Sequence, residues 1–232
     1  NFKGGDFPPP FFMSKTLIVG SSEGLGLHLK KKIEATNQDV IHIYREEKSD
    51  NIIEIAGDHK NENISKIFCC LGNINLKSIL STSSEDMVND FKTNLVIPHE
   101  IIKIFYRSLI ANEGSIILFS SIAATKGLSF HSSISASKSA VEGYIRALSA
   151  ELAPRVNANV IRLALMESPM SEFIFKNERS KKISLDMQPM GEFIKAADVA
   201  DMALAVSANR SVNGQIITVD GGISTITKKA KV

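Results

Sequence analysis

The sequence predicts a single-domain α/β protein, a doubly wound parallel sheet of about seven strands with helices on both faces. Three observations predict it. Short apolar runs alternate with stretches of helical length along the chain, the order that produces parallel strands joined by crossover helices. Runs such as Ile67-Phe68-Cys69-Cys70-Leu71 read as buried strands, as a sheet covered on both faces requires. The first strand passes directly into a glycine-rich turn and a helix. A chain of 232 residues is long enough for one sizeable core and, in α/β folds, commonly forms one domain.

Taken in order, residues 15–19 form the first strand, 20–26 the glycine turn and 27–35 the first helix. Strands are expected at 40–44, 51–56 and 66–71, each bounded by polar or glycine-containing connections. Residues 87–110 are long and periodic enough for a helix, and 115–119 form another buried strand ending at Ser120-Ser121. A helix over 137–152 is closed by Pro154, because proline cannot continue a helix. A strand at 158–163, a helix at 198–208 and a last strand at 215–219 complete the alternation. Residues 167–195, rich in Met, Phe and Lys, fit neither pattern and are expected to form a mobile lid. Residues 1–12, with Gly4-Gly5 and Pro8-Pro9-Pro10 ahead of Met13, read as a leader outside the domain of 13–232.

Composition narrows the partners. The apolar fraction of 44% and charged fraction of 22% are those of ordinary soluble proteins. A net charge of +2 provides no field suited to nucleic acid, and Lys30-Lys31-Lys32 reads as a solvated helix face. No apolar run reaches the 18 or so residues of a membrane span. Cys69 and Cys70 are adjacent within a strand candidate, so neither a disulfide framework nor a metal site is expected, and a cytoplasmic location is.

The pattern Gly20-x-x-x-Gly24-x-Gly26 at a strand-to-helix turn suits a dinucleotide. Residues without side chains let the backbone approach a pyrophosphate whose charge the helix N-terminus meets, the Rossmann-type arrangement. A tight connection with no ligand is the plainer reading of that turn alone. An acidic residue ending the second strand would bind the adenosine ribose, whereas a basic one pairs with a 2′-phosphate. This chain has Tyr44-Arg45, which favours NADP over NAD, with Arg45 and Ser21 near the phosphate; a solvated surface arginine is the alternative.

Further segments, in order, resemble the short-chain dehydrogenase/reductase family. Val19 to Gly26 is similar to its cofactor turn, Cys69-Cys70-Leu71-Gly72 stands where the family has Asn-Asn-Ala-Gly, and Asn94 in Phe91-Lys92-Thr93-Asn94-Leu95 matches its helix asparagine. Ser121 matches the active-site serine, and Ser135-Ala136-Ser137-Lys138-Ser139-Ala140 the segment carrying the active-site lysine. Leu163-Ala164 replaces the family's Pro-Gly, and Asn213 to Gly222 resembles its C-terminal strand. The resemblance implies a cofactor site of Gly20, Ser21, Ser22, Gly24, Leu25, Gly26, Arg45, Gly72 and Lys138, with Asp58 approaching the adenine. It implies a small-molecule substrate and a homodimer or homotetramer joined through the helices at 87–110 and 137–152, which simple core packing explains equally well.

Two departures stand out. The short stretch 59–67 between Asp58 and Phe68 leaves no room for the helix that family members carry between the third and fourth strands, so that helix is expected to be lost. In the catalytic set, reduction of a carbonyl needs a proton donor, a group to orient the carbonyl and a cation, roles the family gives to Tyr, Ser and Lys. Ser121, Lys138 and Asn94 are present, but the tyrosine position is Ile134, which cannot transfer a proton. His131 is the nearby side chain suited to acid–base work at neutral pH, although a plain loop histidine is the simpler reading. Two functions follow: an oxidoreductase with an atypical proton donor, or a non-catalytic nucleotide-binding or scaffold protein, in which no cofactor need be bound.

Overall fold

A computed structural model describes residues 13–20, 22–45 and 51–227; the leader expected at 1–12 and Ser21 of the glycine turn lie outside them. Successive residues of a strand point to opposite faces, and here both faces are apolar. Leu17 and Val19 of β1 (Lys15–Val19) enter one core and Ile18 the other. The same alternation repeats in β3 (Ile64–Cys69), β4 (Ser115–Ser121) and β5 (Asn157–Leu163), where Ile67, Ile116 and Val160 oppose Phe68, Ile117 and Ile161.

Helices cover the two faces unequally. One face is covered by α1 (Gly24–Glu34) and α8 (Ala196–Ala208), through Leu25, Leu29 and Ile33 against Val199, Ala203 and Val206. The other carries α2 (Ile52–Asp58), α4 (Ile97–Ala111) and α5 (Ser132–Leu152). Beside them runs α3 (Ser84–Phe91), begun by a capping box in which the Ser83 hydroxyl accepts from Asp86 N–H and the Asp86 carboxylate accepts from Ser83 N–H. With β2 (Val40–Ile43) and β6 (Ile216–Val219), the described residues form a six-stranded, wholly parallel sheet in the order β2-β1-β3-β4-β5-β6. The chain steps one way from β1 to β2 and the other way to β3, so the C-terminal ends of β1 and β3 form a switch point, where open α/β sheets bind ligands.

The parallel, doubly wound sheet stands as expected, with one strand fewer. Residues 51–56, expected as a strand from their isoleucines, are helical: the Asn51 side chain accepts from Ile53 N–H, and Ile52 and Ala56 are buried one turn apart. An Asn N-cap and an i, i+4 apolar pair outweigh the β-propensity of Ile52, Ile53 and Ile55. The crossover helix expected to be missing before β3 is therefore present as α2, and among the described residues no strand lies beyond β2 at that edge of the sheet. Residues 87–110 also divide, into α3, a π-turn at Lys92–Val96 and α4.

Residues 165–195 leave the sheet after β5 and return at α8, closed at their base by a bridge between Met166 and Ile194. They hold a 3-10 turn at Pro169–Ser171 and two short helices, α6 (Glu172–Phe175) and α7 (Glu178–Asp186). Phe175 and Phe193 pack edge to face across the segment, their ring centroids 4.8 Å apart.

Candidate active site

The turn after β1 is built from backbone because nothing else fits. A Cβ on Gly20 would stand 2.9 Å from the Cys70 Cβ, and its φ of +150° is one that side chains rarely tolerate. The close approach is fixed by Cys70 N–H donating to the Val19 carbonyl at 2.6 Å and Gly20 N–H to the Ile43 carbonyl at 2.9 Å. Gly24, with φ +61°, opens α1, and Glu23 at the N-cap makes no side-chain cap. The first-turn N–H groups of α1 therefore face the switch point, a geometry suited to an anion. Leu25 sends its side chain into the core, and Gly26 is buried behind it.

The other expected residues separate into those gathered at this edge and those elsewhere. Arg45 is exposed just past the end of β2, whose Ile43 carbonyl already holds Gly20, and Ser22 is exposed in the turn. Asp58 ends α2, a crossover helix that runs back toward the N-terminal ends of the strands, so it lies at the sheet edge opposite the glycine turn. The expected approach of Asp58 to an adenine has no support in this placement, and the misread strand at 51–56 is its cause.

Gly72, three residues beyond the end of β3, is where the remaining groups meet. A Cβ there would lie 3.4 Å from Asn94 Oδ1, 3.4 Å from Lys138 Nζ and 3.5 Å from Met170 Cε. Asn94 sits in the π-turn, and its amide Nδ2 donates to Asn73 Oδ1 and to the Asp90 carbonyl, leaving Oδ1 buried and unpartnered. Lys138, 8% exposed on α5, donates to the Phe119 carbonyl at 3.0 Å. Burial pushes its ammonium down to about 8. Burial in turn raises Cys69 to about 12 and Cys70 well above its ordinary value, so both thiols are neutral at pH 7 and structural.

The side expected to be catalytic is more self-contained. Ser121 ends β4, and its Oγ accepts from Ala123 N–H at 3.2 Å, capping the 3-10 turn Ile122–Ala124. Ser135 and Ser139 donate to the carbonyls of Ala123 and Ala124 at 2.6 and 2.9 Å, which staples α5 to that turn. Ile134 lies one turn before Lys138 on α5 and is 4% exposed. The expected substitute, His131, stands at the N-cap of α5 with Nδ1 against the Ser129 carbonyl at 2.7 Å, lining a surface hollow with Lys77, Phe130 and Ser135.

Two buried polar groupings had no counterpart in the sequence reading. Glu142 of α5 takes a bidentate hydrogen bond from Arg162 of β5 at 2.8 and 2.7 Å, with Ser120 Oγ donating to Glu142 at 2.8 Å. The Glu142 hydrogen bond holds the Arg162 guanidinium above its ordinary value. Asp90 of α3 accepts from Asn73 and Ser133 beside Asn94. Both join residues far apart in the chain, and no spacing rule brings such pairs together; only the i, i+4 interval between Asp90 and Asn94 hinted at a shared helix face.

Comparison with known proteins agrees with this fold. Residues 21–224 match the family profile described as enoyl-(acyl carrier protein) reductase. Carbonyl reductase family member 4 of Danio rerio is 26% identical over 241 residues, covering 92% of this chain and all of that protein. The crystal structure of an oxidoreductase of the short-chain dehydrogenase/reductase family from Burkholderia thailandensis superposes with a TM-score of 0.83 at 20% identity, covering 92% of this chain and 94% of that one. A gluconate 5-dehydrogenase from Burkholderia cenocepacia J2315, solved with NADP and tartrate, superposes with a TM-score of 0.79 at 17% identity over 93% and 97%.

Proposed function

The chain belongs to the short-chain dehydrogenase/reductase family, and from that membership we propose that it is an NADP-preferring oxidoreductase acting on a carbonyl or hydroxyl of a small molecule. The observation that carries the reading is the meeting of Asn94 Oδ1 and Lys138 Nζ over the bare backbone of Gly72, beside the glycine turn. An unpartnered buried acceptor and a buried cation over a backbone with no side chain suit a ribose or a hydroxylated ligand. In this reading the backbone of 20–26 and the first turn of α1 hold a pyrophosphate, Lys138 a ribose, and Arg45 with Ser21 a 2′-phosphate. The nicotinamide supplies or accepts hydride; Ser121 orients the substrate oxygen, and a donor other than residue 134 supplies the proton. The NADP held by the Burkholderia cenocepacia dehydrogenase supports the choice of cofactor.

The second reading, a non-catalytic nucleotide-binding protein, draws on one observation. By the resemblance the position of the proton donor is held by Ile134, an apolar residue buried in α5, while the Ser121 hydroxyl accepts a backbone N–H of its own turn. Titration with NADPH and NADH, followed by nicotinamide fluorescence, tests the cofactor: micromolar NADPH binding tighter than NADH is expected, and binding of neither overturns the oxidoreductase reading. Turnover of NADPH against a panel of small carbonyl compounds then separates the two functions.

A homodimer or homotetramer accompanies the proposal. Met87, Val88 and Phe91 of α3 and Val96 of the π-turn are exposed around a groove of about 490 Å³ closed by Ser133, Ala136 and Ser137 of α5. Sedimentation at micromolar concentration checks it, and a monomer overturns it. No helix among the described residues is long and apolar enough to cross a membrane, and both cysteines are free thiols, which supports a cytoplasmic location.

A further inference from the structure

Asp90 is 1% exposed, and among the described residues no ion pair offsets its charge. A carboxylate in that position has to be satisfied by neutral donors, and the identity of those donors is informative. Its Oδ1 accepts from Asn73 Nδ2, and its Oδ2 accepts from Ser133 Oγ at 2.5 Å. Because a carboxylate only accepts, the Asn73 amide has to turn its nitrogen toward Asp90, and its oxygen then faces Asn94. Asn94 Nδ2 donates to that oxygen at 2.9 Å and to the backbone carbonyl of Asp90 at 2.8 Å, with Ser137 Oγ more distant at 3.2 Å. An amide nitrogen carries two hydrogens. Residue 90 therefore commits both, one through its own carbonyl and one through its carboxylate by way of Asn73. What remains of Asn94 is Oδ1, buried, unpartnered and adjacent to Gly72 and Lys138.

We propose that Asp90 is a positioning residue that sets the polarity of the relay Asp90–Asn73–Asn94, so that the site presents an acceptor rather than a donor beside Lys138. The same carboxylate ties in α5 through Ser133, the residue before Ile134. One carboxylate thus joins the end of β3, the π-turn and the helix that carries Lys138. The ligand group this arrangement suits is a hydroxyl or an ordered water donating to Asn94 Oδ1. The inference rests on the oxidoreductase reading for its consequence in binding, but not for the relay itself.

The test compares Asp90→Leu, Asn73→Leu and the double variant with the wild type. NADPH affinity is measured by fluorescence, and exchange of the Asn94 side-chain amide by NMR on asparagine-labelled protein. Each single variant is expected to weaken NADPH about 5- to 10-fold, the worth of one neutral hydrogen bond, and to speed exchange of the Asn94 amide. The double variant is expected to be no worse than the weaker-binding single variant, since both substitutions break one chain of bonds. Additive losses, or an Asn94 amide that exchanges as in the wild type, overturn the proposal. Should the wild type bind no NADPH, the oxidoreductase reading fails and the amide exchange alone decides the relay. Should Asp90→Leu not fold, Asn73→Leu carries the same comparison: loss of Asn94 protection supports the relay and retention overturns it.

Discussion

The two halves of the site lie on one edge of one sheet and are built in opposite ways. On the proposed nucleotide side, at the ends of β1 and β3, the features are backbone: Gly20 pressed against Cys70, the open first turn of α1, and Gly72 bare beneath Asn94 and Lys138. On the proposed catalytic side, at the end of β4 and the start of α5, they are side chains already bonded to nearby backbone: Ser121 to its own turn, Ser135 and Ser139 to Ala123 and Ala124. A backbone site tolerates sequence change, because any residue supplies an N–H, whereas a proton donor is a specific side chain and is lost with one substitution. The contrast explains how a backbone site of the proposed kind can persist where, by resemblance, Ile134 stands at the position of the catalytic tyrosine.

The sharpest way to break the comparison is to return the donor. Ile134→Tyr, one turn before Lys138, is expected to raise carbonyl-dependent NADPH oxidation by about 10²- to 10⁴-fold, the usual worth of general acid–base catalysis. Stopped-flow absorbance at the nicotinamide band reads it. No gain, with NADPH still bound, would place the loss deeper than residue 134 and favour the non-catalytic reading.

Next in size is the support beneath the catalytic half. Glu142→Ala removes the buried partner of Arg162, whose side chain keeps 17% of its surface in solvent, so the loss is expected at the lower end of the about 3–5 kcal/mol that breaking a fully buried pair costs. Urea denaturation checks this; the paired change Glu142→Leu with Arg162→Met is expected to recover most of it. A loss below 1 kcal/mol would show that hydration of the partly exposed Arg162 makes up for the lost partner.

Lys138 belongs to both halves and gives the pH dependence. Its folded value of about 8 lies below the ordinary 10.5, so between those limits the unfolded chain holds the proton that the folded chain has released. Stability relative to Lys138→Met therefore rises with pH through that window, by about 3 kcal/mol at most. Nucleotide affinity moves the other way, falling as the ammonium that faces the ligand loses its charge above pH 8. Lys138→Arg, which stays charged, should flatten the affinity profile, and a wild-type profile flat from pH 7 to 10 would remove Lys138 from ligand contact.

The contrast between the halves also governs what the sequence could reveal. The glycine turn and the buried strands were legible as local patterns, a turn needing bare backbone and short apolar runs, whereas the Asn94, Ser121 and Lys138 positions came only from the resemblance to the family. Residues 51–56 were misread because Ile52, Ile53 and Ile55 favour a strand, and only the Asn51 cap and the burial of Ile52 with Ala56 show the helix. That single error displaced Asp58 from the site and made the helix before β3 look deleted. The relay from Asp90 and the Glu142–Arg162 pair were illegible for a different reason, since each spans two or three elements and exists only once the sheet has assembled.

The smallest expected effect concerns Arg45, an exposed candidate proposed to contact the cofactor through its side chain. A single exposed guanidinium on a phosphate is worth about 1.5 kcal/mol, so Arg45→Ala should weaken NADPH about tenfold and leave NADH unchanged. Paired titrations at low and high salt separate this from a general surface effect, because a true phosphate contact weakens as salt is raised and a cofactor without the 2′-phosphate does not feel it. An equal loss for both cofactors would mean that Arg45 supports the end of β2, whose Ile43 carbonyl holds Gly20, and acts on the turn through the backbone. In that case even the selective side of the nucleotide half would be a matter of main-chain geometry, and cofactor choice would have to be sought among the other residues that border the turn.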